Sequence, residues 1–301
     1  MLFSKFLDPK NDYAFKRIFG TEKNKDILID FINAVVEFEN NSNITDIVLL
    51  ETSQNPEIAY KKQSLIDVLC KDELGRQYII EMQVAKTAGF EKRAQYYAAK
   101  AYSRQLNQGE PYQNLRAVIF VAITDFVMFP DKPHYLSQHV ILDKETYEQD
   151  LKDFSFTFLE LPKFNKPIAN LQNVIERWCY FFKRAEGTHE RDINDIAGVD
   201  KAIARAYEEL NRYSWDEDEL HLYEREEKRV RDEQAVFKAQ LDDAKAEGLA
   251  EGKAKGKAEG IVEGKRQTAK NLLALGMEHT VVAQATGLSE SQITSLLNNK
   301  E

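Results

Sequence analysis

The spacing of apolar residues along this chain changes from helical to strand-like and back to helical. Asn11 to Phe19 (NDYAFKRIF) and Lys25 to Phe38 (KDILIDFINAVVEF) carry apolar residues at helical intervals, with Asp12 and Asn24 placed as caps near their starts. From Ile44 the texture becomes short and β-branched, in ITDIVLLET, SLIDVLCKD and RQYIIEMQV, with a turn at Asp72-Glu73-Leu74-Gly75. This predicts three consecutive strands, the last two forming a hairpin. Phe90 to Leu106 is amphipathic, closes at Gly109, and leads into RAVIFVAITDF, whose nearly continuous apolar character suits a buried strand. Tyr135 to Leu142 and Phe154 to Leu161 predict edge strands of the same sheet. Beyond Asn170 the period is helical: NLQNVIERWCYFFKRA, AGVDKAIARAYEELNRY, then a charged stretch from Asp216 to Lys245.

Two features set the tail apart. Gly248, Gly252, Gly256, Gly260 and Gly264 recur every fourth residue and would line one stripe of a helix. Glycine costs about 1 kcal/mol relative to alanine at each helical position, so the stripe suits close self-association of helices; a flexible tether is the alternative. Gln267 to Leu297 then reads as short helices stopped at Gly276 and Gly287, with Ser289 and Gln292 as a capping box. The arrangement resembles a helix-turn-helix. Its second helix, SESQITSLL, carries no arginine, so a packing or oligomerisation module is weighed ahead of a DNA reader.

Composition narrows the class. The 301 residues are 43% hydrophobic and carry a net charge of −9, which fits a folded protein and excludes a generally basic nucleic-acid binder. Any nucleic-acid contact has to be a local basic patch. Cys70 and Cys179 both lie in apolar segments, as buried free thiols of a reducing cytoplasm would. No apolar run reaches the length of a membrane span, and the amino terminus lacks the apolar region of a signal peptide, so a cytoplasmic protein without membrane contact is expected.

The chemistry concentrates in the hairpin. Asp67 interrupts SLIDVLC and Glu81 interrupts YIIEMQ. Strand alternation puts Asp67 opposite Ile66 and Val68, and Glu81 on the same face as Gln83. Acids flanked by aliphatic residues are costly to desolvate, and a hard divalent cation held by carboxylate oxygens offsets that cost. Magnesium, with manganese as a substitute, accepts one or two protein carboxylates and assists phosphodiester hydrolysis. Cross-strand charges of no catalytic consequence remain the alternative at this point. Arg93, Lys100 and Arg104 interleave with Tyr96, Tyr97 and Tyr102 on the following helix, a pairing suited to phosphate contact and base stacking, or to an ordinary solvated face.

The stretches DPKNDYAFKRIFG, KKQSLIDVLCKDELGRQYIIEMQ and RAQYYAAKAYSRQLNQGEPYQNLRAVIFVAITDF together resemble the recombination-promoting nuclease/transposase family of the PD-(D/E)XK nuclease superfamily. The resemblance covers roughly residues 6–165. It implies an α/β core with a mixed central sheet flanked by helices and an all-helical C-terminal extension. It also implies metal ligation by Asp67 and Glu81, with Gln83 standing where the superfamily pattern usually has lysine. Lys62 is one candidate for the missing cation, and Asp12 for an accessory acid.

The expected organisation is a nuclease core over 1–165, a helical region over 166–240 completing or following it, a glycine-repeat connector helix over 241–266 and a helix-turn-helix-like unit over 267–301. The expected function is a magnesium-dependent DNA endonuclease of low sequence specificity, linked to recombination or mobile elements and self-associating through its tail. A noncatalytic DNA-tethering or self-assembling protein with a vestigial site is the rival.

Overall fold

The computed structural model describes residues 4–38, 43–54, 64–198 and 200–298. They form two compact units, Met1–Lys228 and Arg229–Glu301.

The first unit opens with α1 (Asp12–Phe19) and α2 (Lys25–Val35). Asn11, and not Asp12, caps α1: its side chain accepts from the N–H groups of Tyr13 at 3.0 Å and Ala14 at 3.3 Å. A capping oxygen has to sit one residue before the first helical position to reach those donors, so Asp12 falls inside the first turn. Asn24 precedes α2 without capping it, because its side-chain oxygen accepts from the Arg205 guanidinium at 3.2 Å while its amide donates to the Arg17 carbonyl at 3.1 Å.

Among the described residues eight strands follow: β1 (Ile47–Leu49), β2 (Ser53–Gln54), β3 (Ser64–Leu65), β4 (Val68–Asp72), β5 (Gln77–Gln83), then, after α3 (Phe90–Ser103), β6 (Val118–Thr124), β7 (Leu136–Val140) and β8 (Phe154–Glu160). Six of them form one mixed sheet in the order β1-β4-β5-β6-β8-β7, and β2 pairs with β3 separately. The β4–β5 hairpin is antiparallel, and its turn holds because Asp72 accepts the N–H groups of Leu74 and Arg76 while Gly75 adopts a φ of 81°. From β5 to β6 the pairing is parallel, which requires a crossover, and α3 supplies it. The segment Phe154–Glu160 is no edge strand. It lies between β6, to which it is parallel, and β7, which folds back antiparallel and takes the edge.

Alternation along β6 sorts the two cores. Val118, Phe120 and Ala122 join Leu69, Ile79 and the α3 residues Phe90, Ala94, Tyr97, Ala98 and Ala101 on one face. Ile119, Val121 and Ile123 join the opposite core, with Phe15, Phe19 and Phe31 of α1 and α2. That second core also contains Trp178, Phe181 and Phe182 of α4 (Val174–Arg184), Ile196 of α5 (Ile193–Ala197) and Tyr207 of α6 (Lys201–Glu209). The helices after residue 166 therefore close the same core as α1 and α2. Cys70 and Cys179 are buried free thiols, and burial pushes Cys70 up to about 12.

A single helix, α7, runs Glu217–Ala274 through both the charged stretch and the glycine repeat. At each of the five repeat glycines an added Cβ would meet nothing within 4 Å. In the second unit, α8 (His279–Thr286) and α9 (Glu290–Asn298) pack on the end of α7 through Ala269, Val282, Leu288 and Ile293. The capping box forms: Ser289 N–H donates to Gln292 Oε1 at 2.9 Å, and Gln292 N–H to Ser289 Oγ at 3.3 Å. Among the described residues no helix is long and apolar enough to cross a membrane.

Candidate functional site

The site begins with a break in a strand. SLIDVLC reads as one continuous strand, yet β3 ends at Leu65 and β4 begins at Val68. Ile66 consequently packs in the α3-side core with Leu69, while Val68 enters the other core, so the expected placement of Ile66 and Val68 on one face fails at this bend. The bend turns the Asp67 backbone toward β5. Continuing the hairpin register from Val68↔Ile80 places Asp67 opposite Glu81.

Two reciprocal hydrogen bonds fix the pair. The Asp67 N–H donates to Glu81 Oε1 at 3.3 Å, and the Met82 N–H donates to Asp67 Oδ2 at 2.9 Å. Each carboxylate thus takes a backbone donor that the interrupted ladder leaves free. Glu81 is only 5% exposed. Burial, and then the charge of Asp67, push its carboxyl well above the usual carboxylate range; burial, and then Asp12, push Asp67 up as well. Two like charges held together out of water favour a shared proton or a cation.

A cation is already close. Lys16, one turn after Asp12 on α1, lies 2.8 Å from Asp12 Oδ2 and 3.6 Å from Asp67 Oδ1. Asp12 therefore stands beside Asp67 directly, with Lys16 between their charges. The helical i, i+4 spacing of Asp12 and Lys16 was the available signal for Lys16, which sequence reasoning missed.

On the other side stands α3. Gln83 shares the α3 face of β5 with Glu81, and its Oε1 accepts a hydrogen bond from the Arg93 guanidinium while its Nε2 donates to the Ala85 carbonyl at 3.0 Å. Arg93 lies over the Phe90 ring at 4.8 Å and within 6.0 Å of the Tyr97 ring centroid. Among the described residues its Nε is buried without a hydrogen-bond partner. An unpartnered buried donor costs roughly 1–3 kcal/mol, and the Nε atoms of Arg17 and Arg177 share this state. Arg93 also draws the Glu81 carboxyl back toward its charged form.

Arg93, Tyr97, Lys100 and Arg104 recur at i, i+4, i+7 and i+11, so they share one stripe of α3 beside its buried face. Tyr97 is buried against the sheet, Lys100 sits 5.9 Å from the Tyr96 ring, and Arg104 is exposed. Lys62 lies outside the described residues. Among those residues no group of three or more His, Cys, Asp or Glu side chains is arranged to hold a metal ion. Two facing carboxylates are the donor set present, and magnesium accepts that number, completing its shell with water.

A family model described as PD-(D/E)XK nuclease family transposase matches residues 9–240. A second, described as Rpn/YhgA-like nuclease family, C-terminal HTH domain, matches residues 263–298. No curated protein and no solved structure gives a significant match.

Proposed function

Because this chain belongs to the PD-(D/E)XK nuclease family transposases, we propose that it is a metal-dependent DNA endonuclease of low sequence specificity, acting in recombination or mobile-element movement. One observation carries the reading: Asp67, in the break before β4, faces Glu81 of β5, which is buried, and the two acids are locked together by backbone hydrogen bonds. That pair would hold magnesium, or manganese in its place, which suits oxygen ligands and relieves the repulsion. Such an ion supplies polarisation of the phosphate and a more acidic bound water.

The protein's own groups do the rest. The reciprocal bonds orient both carboxylates before any ligand arrives, and Lys16 holds Asp12 beside them. Arg93, Lys100 and Arg104 would carry the DNA backbone, and the exposed Tyr96 would stack on bases, since Tyr97 of the same stripe is buried in the core. Contacts of this kind follow phosphate and base face, which is the physical ground for low sequence specificity. The C-terminal HTH domain supports DNA as the partner, although α9 itself presents no cation, so its contribution would come from neutral polar groups such as Gln292. Self-association through the glycine stripe of α7 belongs to the same proposal. So does a cytoplasmic location, which the two buried free thiols fit.

The test is conversion of supercoiled plasmid to nicked and linear forms by the full chain, with magnesium, manganese, calcium or a chelator. Cutting is expected with magnesium and manganese, and to fall roughly 100-fold or more in folded Asp67→Asn and Glu81→Gln chains. A wild type that never cuts, or variants that cut at its rate, would return the noncatalytic tethering reading to the front.

A further inference from the structure

The nuclease reading leaves one place unfilled: the cation that a lysine at position 83 would provide. We propose that Arg93 is that cation, and that Gln83 is the positioning residue that aims it at the scissile phosphate. The inference rests on the nuclease reading and assigns roles within the same site.

Three observations lead there. First, Gln83 has both ends of its amide occupied: Oε1 accepts from Arg93 and Nε2 donates to Ala85 at 3.0 Å. A side chain fixed at both ends is suited to hold a neighbour and not to manage a mobile water. Second, Arg93 is pinned from two more directions, over Phe90 at 4.8 Å and near Tyr97 at 6.0 Å, so its long side chain approaches the site in one conformation. Third, among the described residues the guanidinium hydrogen-bonds only Gln83, through Nη2, which leaves Nη1 as a donor that a phosphate oxygen could take.

Lys16 is the competing candidate, and charge decides between them. Lys16 is bound to two carboxylates, at 2.8 Å from Asp12 and 3.6 Å from Asp67, and is largely neutralised by them. Arg93 instead hydrogen-bonds a neutral amide and, among the described residues, forms no ion pair; its charge is felt at Glu81 without a direct contact, so its free guanidinium donors can meet an incoming phosphate. A guanidinium suits that task because its planar donors match phosphate oxygens in pairs. The superfamily pattern carries its cation on the strand; here the strand carries the bracket, and α3 carries the charge.

Moving the charge back is the experiment. Plasmid nicking is measured for wild type, Arg93→Ala, Arg93→Lys and the double variant Arg93→Ala with Gln83→Lys, each shown folded by circular dichroism. Lys100→Ala and Arg104→Ala serve as comparators for simple backbone contacts. Arg93→Ala is expected to lower kcat at saturating DNA by roughly 100-fold, the scale of losing one transition-state donor, with KM little changed. The comparators are expected to raise KM alone. Arg93→Lys and the double variant are expected to recover at least a tenth of the wild-type kcat.

Arg93→Ala at wild-type kcat, a loss confined to KM like the comparators, or a folded double variant that stays inactive overturns the assignment while leaving the nuclease intact. If Arg93→Ala does not fold, Arg93→Gln, which can still pair with Gln83, takes its place with the same expectations. A wild type that cuts no DNA removes the nuclease reading and this inference together.

Discussion

Asp67 and Glu81 are held together through backbone donors and against their charge: Glu81 accepts the N–H of Asp67, and Asp67 accepts the N–H of the residue after Glu81. The pairing exists because the strand stops at Leu65 and restarts at Val68, freeing the ladder donors for side-chain oxygens. Repulsion between the two carboxylates is built into the fold.

That repulsion has a cost in metal-free protein. Both carboxyls are raised, so between the ordinary carboxylate range and their raised values the folded state binds more protons than the unfolded one. Stability then falls as pH rises through that window. Glu81→Gln removes one charge and is expected to raise the melting temperature in chelator at pH 8 by roughly 2–6 °C, the size of about 1–2 kcal/mol in a domain of this scale. The gain should shrink toward pH 4. An unchanged or lowered melting temperature at pH 8 would show that the pair is not strained.

Asp30 offers a second titration, remote from the site. Burial pushes it up to about 6, and the Trp178 indole N–H donates to it at 2.8 Å, which pulls the other way. The sign is the same: stability contributed by the protonated form declines from about pH 4 to pH 6 and is level above. Asp30→Asn, which can still accept from Trp178, is expected to gain stability relative to wild type as pH rises across that window. Thermal melts at pH 4, 5, 6 and 7.5 check it, and parallel curves for the two chains contradict it.

The helices after residue 166 are required for the core that α1 and α2 form on the sheet. Phe19 and Phe31 meet Trp178 at 5.7 and 5.5 Å, and Phe31 meets Phe182 at 5.4 Å, all fully buried. Losing one such aromatic costs about 3–5 kcal/mol, and a fragment of residues 1–165 loses several at once. It is expected to lack a cooperative melt and near-UV circular dichroism, whereas residues 1–228 should show both. A cooperative melt from the shorter fragment contradicts the shared core.

Much of this was legible in the sequence. Alternation and buried apolar runs located β5 and β6, and the polar interruptions marked Asp67, Glu81 and Gln83, the first two of which the fold brings together. Three things were not. The break at Asp67 leaves no mark in a run of apolar residues, because Ile66 satisfies either core equally well. The interior position of β8 depends on pairing across more than thirty residues, which local patterns do not encode. Arg93 was visible as one cation among several on α3, but its bond to Gln83 arises only when the crossover lays α3 over β5.

The tail gives a prediction of another kind. An added Cβ at Gly252 or Gly256 meets nothing in this chain, so any crowding there has to come from a second copy. Sedimentation is expected to show self-association that Gly252→Leu with Gly256→Leu converts to monomer while helicity rises, since leucine is the better helix former. A monomeric wild type, or an assembly indifferent to both leucines, removes the stripe from the account.

The most direct measurement of the central claim is calorimetric titration of manganese into the full chain, wild type against Asp67→Asn and Glu81→Gln, at pH 7.5 without DNA. The account predicts saturable binding by wild type that each variant loses or weakens at least tenfold, with both variants folded. Binding unaltered by either substitution would place any metal elsewhere and contradict the role assigned to this pair.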